Sequence, residues 1–167
     1  RSDLQLTIPI WFTIIFSDIY NKNPLVNVAC LGLVKKDKII YGNALYNNSI
    51  FILCGAKTGN EGVGSAIMAS LPCNSDVENN SQKADAYLEN LLLDAFSELS
   101  DSGLVEGCQD LGAGGILCAS TELIYRGRRK TGKNLGCKIY LNNVSLKCEL
   151  DDYSILASES QERMLLV

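Results

Sequence analysis

The chain has 167 residues, 47% of them hydrophobic, and a formal net charge of −4. That length and composition exclude a disordered chain and suit one compact domain with its own core. The acidic balance, with no long run of Lys or Arg, excludes a nucleic-acid groove.

Ile8 to Ile19, rich in Ile, Phe and Trp, reads as a buried extended segment. The uncharged run Leu4 to Ser17 is too short to span a bilayer, contains Pro9 and lacks the small-residue cleavage site of a signal peptide. Asn21-Lys22-Asn23-Pro24 is a turn, and Leu25 to Val34 the first clear strand. A polar stretch follows to Asn48, then a compact strand over Ser49 to Cys54 that Gly55 ends. Gly55 to Gly62 is a glycine loop, Val63 to Leu71 a short helix and Leu71 to Lys83 a polar linker.

The strongest helical pattern covers Asp85 to Ser100. Leu88, Leu91, Leu92, Ala95, Phe96 and Leu99 fall on one face. Val105 to Gln109 reads as a short strand, Gly112 to Gly115 as a glycine cluster and Ile116 to Tyr125 as a second helix. Arg126-Gly127-Arg128-Arg129-Lys130 reads as a solvated loop bracketed by Gly127 and Gly132, with an anionic-ligand site as the alternative. Lys138 to Leu141 and Met164 to Val167 are the last two strands. Interleaved strands and helices imply an α/β (α+β) domain, with helices packed on one mixed β-sheet.

Seven cysteines stand at 30, 54, 73, 108, 118, 137 and 148, with no Cys-x-x-Cys pair, and histidine is absent. This excludes a structural zinc knuckle and any His-dependent nucleophilic set. The irregular spacing reads as reduced thiols buried as small hydrophobes, which implies a cytoplasmic protein. The Asn-x-Ser triplets at Asn47, Asn79 and Asn143 carry no weight without a secretory signal.

Chemistry therefore falls to carboxylates, amides and a metal. The loop Gly55 to Gly62 either cradles phosphate with its amides or is a plain strand-to-helix turn; its lysine spacing is not that of a P-loop. Asp110, at the end of a strand and ahead of Gly112-Ala-Gly-Gly115, either binds Mg²⁺ or caps the next helix. Glu159-Ser-Gln-Glu-Arg163 sets five polar residues between apolar runs, as a surface turn or as a cluster aimed at a ligand. Asp85 is placed to cap the long helix, and Gln82 lies just before it.

Several segments, in this order, resemble the synthetase chain (subunit II type) of phosphoribosylformylglycinamidine synthase. They are Asn23-Pro-Leu-Val-Asn-Val28, Gly55-Ala-Lys-Thr-Gly59, Met68-Ala-Ser70, Gly103-Leu-Val-Glu-Gly-Cys-Gln-Asp-Leu-Gly-Ala-Gly-Gly115 and Ser158-Glu-Ser-Gln-Glu-Arg-Met164. The last two carry most of the specificity. The resemblance implies the C-terminal domain of the first of two halves, each like aminoimidazole ribonucleotide synthetase. Residues 1–22 would be a remnant of the preceding N-terminal domain and 23–167 the C-terminal-type domain. A start at Arg1, not Met, fits a piece of a longer chain.

The same resemblance implies an ATP-dependent ligase of purine biosynthesis. Formylglycinamide ribonucleotide is activated by ATP through a phosphorylated amide, and ammonia from glutamine, supplied by a glutaminase, displaces phosphate. It makes Asp110 a Mg²⁺ ligand, and Gln82, Glu159, Ser160 and Gln161 substrate contacts. It puts no catalytic residue in this chain, because the catalytic histidine and most ATP-binding groups belong to other domains of the synthetase. No nucleic-acid or membrane partner is implied. Two departures stand out: Asn60-Glu-Gly-Val-Gly-Ser65 replaces an Arg-Asp-Gly-Ile-His-Gly run, and Ile8-Pro-Ile-Trp-Phe-Thr-Ile14 lacks a Gly-Gly-Glu segment. They favour, as a second hypothesis, a degenerate domain kept for folding or association. A third, selenophosphate synthetase or thiamine-phosphate kinase, is opposed by the Glu159-Ser-Gln161 turn. An exposed apolar patch is expected where other domains would dock.

Overall fold

A computed structural model describes residues 14, 16–18, 33–64 and 82–167. The chain divides into two compact units, Arg1–Leu33 and Val34–Val167. In the first unit the described members of the segment expected to be buried are not: Ile14 is 74% and Phe16 91% exposed. The strand expected over Leu25 to Val34 and the helix over Val63 to Leu71 lie almost wholly outside the described residues, as do the Leu71 to Lys83 linker and the turn at Asn21.

The second unit is built on a three-stranded sheet in the order β1-β3-β2, with β1 at Ile52–Gly55, β2 at Cys108–Asp110 and β3 at Arg163–Leu166. Both ladders are antiparallel, pairing Leu53 and Gln109 with Leu165 from opposite sides. An isolated parallel bridge joins Thr58 to Leu146. The chain end holds the centre of the sheet because Leu165 and Leu166 are buried; each such side chain contributes roughly 1.5–3 kcal/mol. The pairing runs on past the strand ends, with Glu106 N–H donating to the Val167 carbonyl at 2.7 Å.

Helix α1, Ala86–Ser102, starts where expected. Asp85 caps it by accepting from the Tyr87 and Leu88 amides at 3.1 and 3.0 Å, and Gly103 ends it in the left-handed region. Its apolar face is only partly covered: Leu88, Leu92 and Phe96 are half-buried, while Leu91 and Leu99 are exposed. Periodicity fixes which face is apolar, not what covers it.

Helix α2, Gly115–Thr131, carries the core. Ile116, Ala119 and Leu123 share one face and cluster with Ala44, Leu111 and Leu165. The loop expected at Arg126 to Lys130 is instead the last turns of this helix, which ends at Gly132. Gly127 is tolerated there because nothing larger fits: a Cβ would stand 1.7 Å from the Ala44 carbonyl oxygen. The cations at this end suit the helix dipole, and Lys130 and Lys133 lie over the rings of Tyr41 and Tyr46. A short third helix, α3 at Asp152–Ala157, packs on α2 and is capped by Asp151. No ladder forms at Lys138 to Leu141, where Leu141–Asn143 is a 3-10 turn.

Cys54 and Cys108 are partly buried, but Cys118, Cys137 and Cys148 are exposed, so burial does not explain those three; all five are free thiols. Among the described residues, no helix is long and apolar enough to cross a membrane.

Candidate functional site

Three segments meet beside the N-terminus of α2: the loop at 56–62, the chain at 145–147 and the turn at 158–163. The first is tied down through its backbone. Ala56 N–H donates to the Glu162 carbonyl at 2.9 Å and Thr58 N–H to the Ser145 carbonyl at 2.8 Å. Gly59 N–H donates to Ser160 Oγ at 2.9 Å. These three amides are used inside the protein and are not open to a phosphate.

The turn at 158–161 is not a surface turn. Ser158 and Ser160 are fully buried and Glu159 is 4% exposed. Arg163, 3% exposed, holds it from below. Its Nε donates to the Ser160 carbonyl at 2.8 Å, Nη2 to the Ser158 carbonyl at 2.7 Å and Nη1 to Thr58 Oγ1 at 2.9 Å. Burial pushes this guanidinium down to about 10, and the charge of Glu61 opposes the shift. Glu61 takes a hydrogen bond from the Ser160 hydroxyl and another from Lys147 Nζ at 2.6 Å. Burial alone would raise its carboxyl, but the bonds from Lys147 and Ser160 together outweigh it and hold Glu61 at about 2.

Glu159 is held from several sides. Its carboxylate accepts from Gln82 Nε2 at 2.6 Å and from the Gly114 amide at 3.2 Å, while its own N–H donates to the Glu61 carbonyl at 2.8 Å. Gln161 Nε2 donates to the Glu159 carbonyl at 2.9 Å. The close approach of α2 to this turn depends on Gly115, where a Cβ would lie 2.0 Å from the Ser158 carbonyl oxygen. Gln82, Glu159, Ser160 and Gln161 are thus brought together, although Gln82 is distant from the rest in sequence.

Asp110 sits at the other end of the glycine-rich turn whose Gly114 amide reaches Glu159. It does not cap α2, whose N-cap is Gly114 with no side-chain bond. Its carboxylate is exposed and accepts from Gln109 Nε2 at 2.9 Å; Gln109 Oε1 in turn accepts from Arg126 Nη1 at 2.6 Å. Asp110 and Arg126 border an open groove of about 440 Å³ with Tyr41 and Cys108. Burial and then the charge of Asp110 push the Cys108 thiol up to about 11. No group of three or more Cys, Asp or Glu side chains among the described residues is placed to hold a metal. One exposed carboxylate still fits Mg²⁺, which keeps several waters and binds through one or two carboxylates plus substrate phosphates.

Sequence reasoning missed Thr58, Glu61 and Arg163 as members of the site. Only Arg163 carried a signal, as the last residue of the polar cluster.

Sheet, helices and buried turn together define an α/β domain of the kind found in AIR synthase relatives. Residues 49–167 match the family described as AIR synthase related protein, C-terminal domain, and the chain belongs to that family. It is 40% identical over 157 residues to phosphoribosylformylglycinamidine synthase subunit PurL of Methanopyrus kandleri, covering 91% of this chain and 21% of that protein. Among solved structures it is similar to Thermotoga maritima PurL complexed with FGAR, at 37% identity and a TM-score of 0.72, covering 80% of this chain and 22% of that one. T. maritima PurL complexed with ATP matches at 34% identity and a TM-score of 0.61, covering 80% and 19%. The chain therefore spans about a fifth of the length of these relatives.

Proposed function

We propose that this chain is a domain of a cytoplasmic, ATP-dependent carbon–nitrogen ligase that makes formylglycinamidine ribonucleotide from formylglycinamide ribonucleotide, ammonia and ATP. In that reaction the γ-phosphoryl group passes to the glycinamide carbonyl oxygen and ADP leaves. Ammonia then attacks the activated carbon, and phosphate departs with that oxygen. A glutaminase would supply the ammonia, and other domains of the synthetase most of the ATP site.

Within this domain, Gln82 and the Glu159–Gln161 turn would bind substrate and Asp110 would hold Mg²⁺. When bound there, the ion would neutralise phosphate oxygens during phosphoryl transfer. Glu159 and the amides of Gln82 and Gln161 suit the hydroxyl and amide groups of a ribonucleotide. A carboxylate accepts hydrogen bonds only and repels phosphate, so the phosphate end would lie away from Glu159. Gln109 holds one oxygen of Asp110, leaving the other toward the groove.

The observation that supports this reading most is the convergence of Gln82 and the Gly114 amide on the buried carboxylate of Glu159. Complementation tests the proposal. The intact synthetase, and its Gln82→Ala and Asp110→Ala variants, are placed in cells that cannot make formylglycinamidine ribonucleotide. Growth with the parent, none with Asp110→Ala and slower growth with Gln82→Ala, at equal protein levels, is expected. Equal growth with the variants would overturn the site assignment, and failure of the folded parent would overturn the function.

A further inference from the structure

The environment of Ser160 assigns a role inside the turn that the resemblance does not contain. A serine hydroxyl has one donor and two acceptor positions. Here the donor goes to Glu61. One acceptor position takes the Gly59 amide at 2.9 Å. The other takes the Ser158 hydroxyl at 3.1 Å, which must be the donor of that pair because the Ser160 proton is already committed. The backbone of Ser160 is equally engaged: its N–H donates to Ser158 Oγ at 3.2 Å, and its carbonyl accepts from Arg163. The side chain is fully buried. Nothing on Ser160 remains for a ligand.

Glu61 is what holds it. Lys147 fixes the other carboxylate oxygen, and Lys147 is itself anchored by its amide, which donates to the Thr58 carbonyl at 2.8 Å. The Glu61 carbonyl also receives the Glu159 amide. One residue thus grips two successive residues of the turn, by side chain at Ser160 and by backbone at Glu159. Gln161 differs: it spends one N–H on the Glu159 carbonyl, and it is only partly buried.

We infer that Glu61, anchored by Lys147, is a positioning residue that pins Ser160 inward, so that the turn does not meet its ligand through the Ser160 hydroxyl. The ligand side of this inference rests on the functional reading above; the pinning does not.

Hydrogen exchange on this chain tests the pinning alone. Glu61→Ala should speed exchange of the Gly59, Glu159 and Ser160 amides about tenfold or more while the α2 amides keep their rates. Should that variant unfold, Lys147→Met carries the same test with a change of about threefold at the same amides. Unchanged rates at all three would overturn the proposal. Steady-state kinetics of the intact synthetase with formylglycinamide ribonucleotide tests the ligand side. Ser160→Ala and Glu61→Ala should each raise KM about tenfold with kcat within about twofold, and the double variant no further. A merely structural role would lower the active fraction, hence apparent kcat, and leave KM unchanged; that result would sink the positioning role. A KM effect confined to Ser160→Ala, or additive with Glu61→Ala, would make Ser160 a direct contact and overturn the inference. A parent that does not turn over this substrate would fail the functional reading, with the exchange result still deciding the pinning.

Discussion

Arg163 Nη1 stands 2.9 Å from Thr58 Oγ1, a bond between side chains 105 positions apart in sequence. It joins the central strand to the loop that follows β1, and the same guanidinium also holds two carbonyls of the buried turn. Arg163→Met would leave Thr58 and the Ser158 and Ser160 carbonyls short of a donor. At about 1 kcal/mol net for each bond, a loss of about 3 kcal/mol is expected in urea unfolding. Arg163→Lys keeps the charge but not the planar fork, and should lose about 1–2 kcal/mol. A lysine variant as stable as the parent would show that the fork is not used.

Glu61 predicts how the fold responds to acid. Its folded value, about 2, lies below its ordinary value of 4.5. A carboxyl depressed on folding contributes stability above its unfolded value and loses it as pH falls through the folded one. The stability gap between the parent and Glu61→Gln should therefore be full at pH 7 and shrink from about pH 4.5 down toward pH 2. Urea melts at several pH values check this. A gap that stays constant would mean that Lys147 and Ser160 do not hold the carboxylate as described.

Gly127→Ala sets helix propensity against packing. Alanine is the better helix former by about 1 kcal/mol. Its methyl group, however, would lie 1.7 Å from the Ala44 carbonyl oxygen, which is backbone and cannot swing aside. Forced displacement of packed elements costs about 1–3 kcal/mol or more, so packing wins and the melting temperature falls. A rise in melting temperature would show that α2 and the segment at Ala44 are not in contact.

Asp85→Ala isolates a local contribution. Its carboxylate caps α1, while its own amide donates to Glu162 Oε1 at 2.9 Å, a bond that alanine keeps. The loss should be about 1 kcal/mol, confined to the first turn of α1 in hydrogen exchange. Faster exchange in the Glu159–Gln161 turn as well would mean that the cap reaches the site.

These cases also show what was legible in the sequence. Local chemistry was: Asp85 and Gly103 bound α1 much as the residue pattern indicates, and the apolar face of α2 was visible at Ile116, Ala119 and Leu123. Glycine misled at Gly127, because a close approach by a distant backbone reads, in one dimension, like a loop. The apolar stripe of α1 said which side would seek a partner but not that this unit covers it only in part. At the site, Asp110 and the Glu159 turn stood out as polar residues in apolar surroundings. Glu61, Thr58 and Lys147 did not, since their importance comes from bonds to residues far along the chain, and no local pattern encodes those.

Asp110 and Gln82 separate chemistry from folding most sharply. Both are exposed, and neither contributes to the core. Asp110→Asn keeps the size of the side chain and an oxygen able to accept from Gln109, so stability should stay within about 0.5 kcal/mol. Losing the carboxylate charge beside transferring phosphates should lower kcat/KM for ATP in the intact synthetase about a hundredfold or more, and raise the Mg²⁺ concentration needed for half activity. Gln82→Ala should instead raise KM for formylglycinamide ribonucleotide about two- to tenfold, because a lost neutral hydrogen bond is worth about 0.5–1.5 kcal/mol. If Asp110→Asn weakened only ribonucleotide binding, with its Mg²⁺ requirement unchanged, the metal would have to be assigned to other residues. If Gln82→Ala left KM unaltered, its bond to Glu159 would be structural, and the substrate surface would shrink to Glu159 and Gln161.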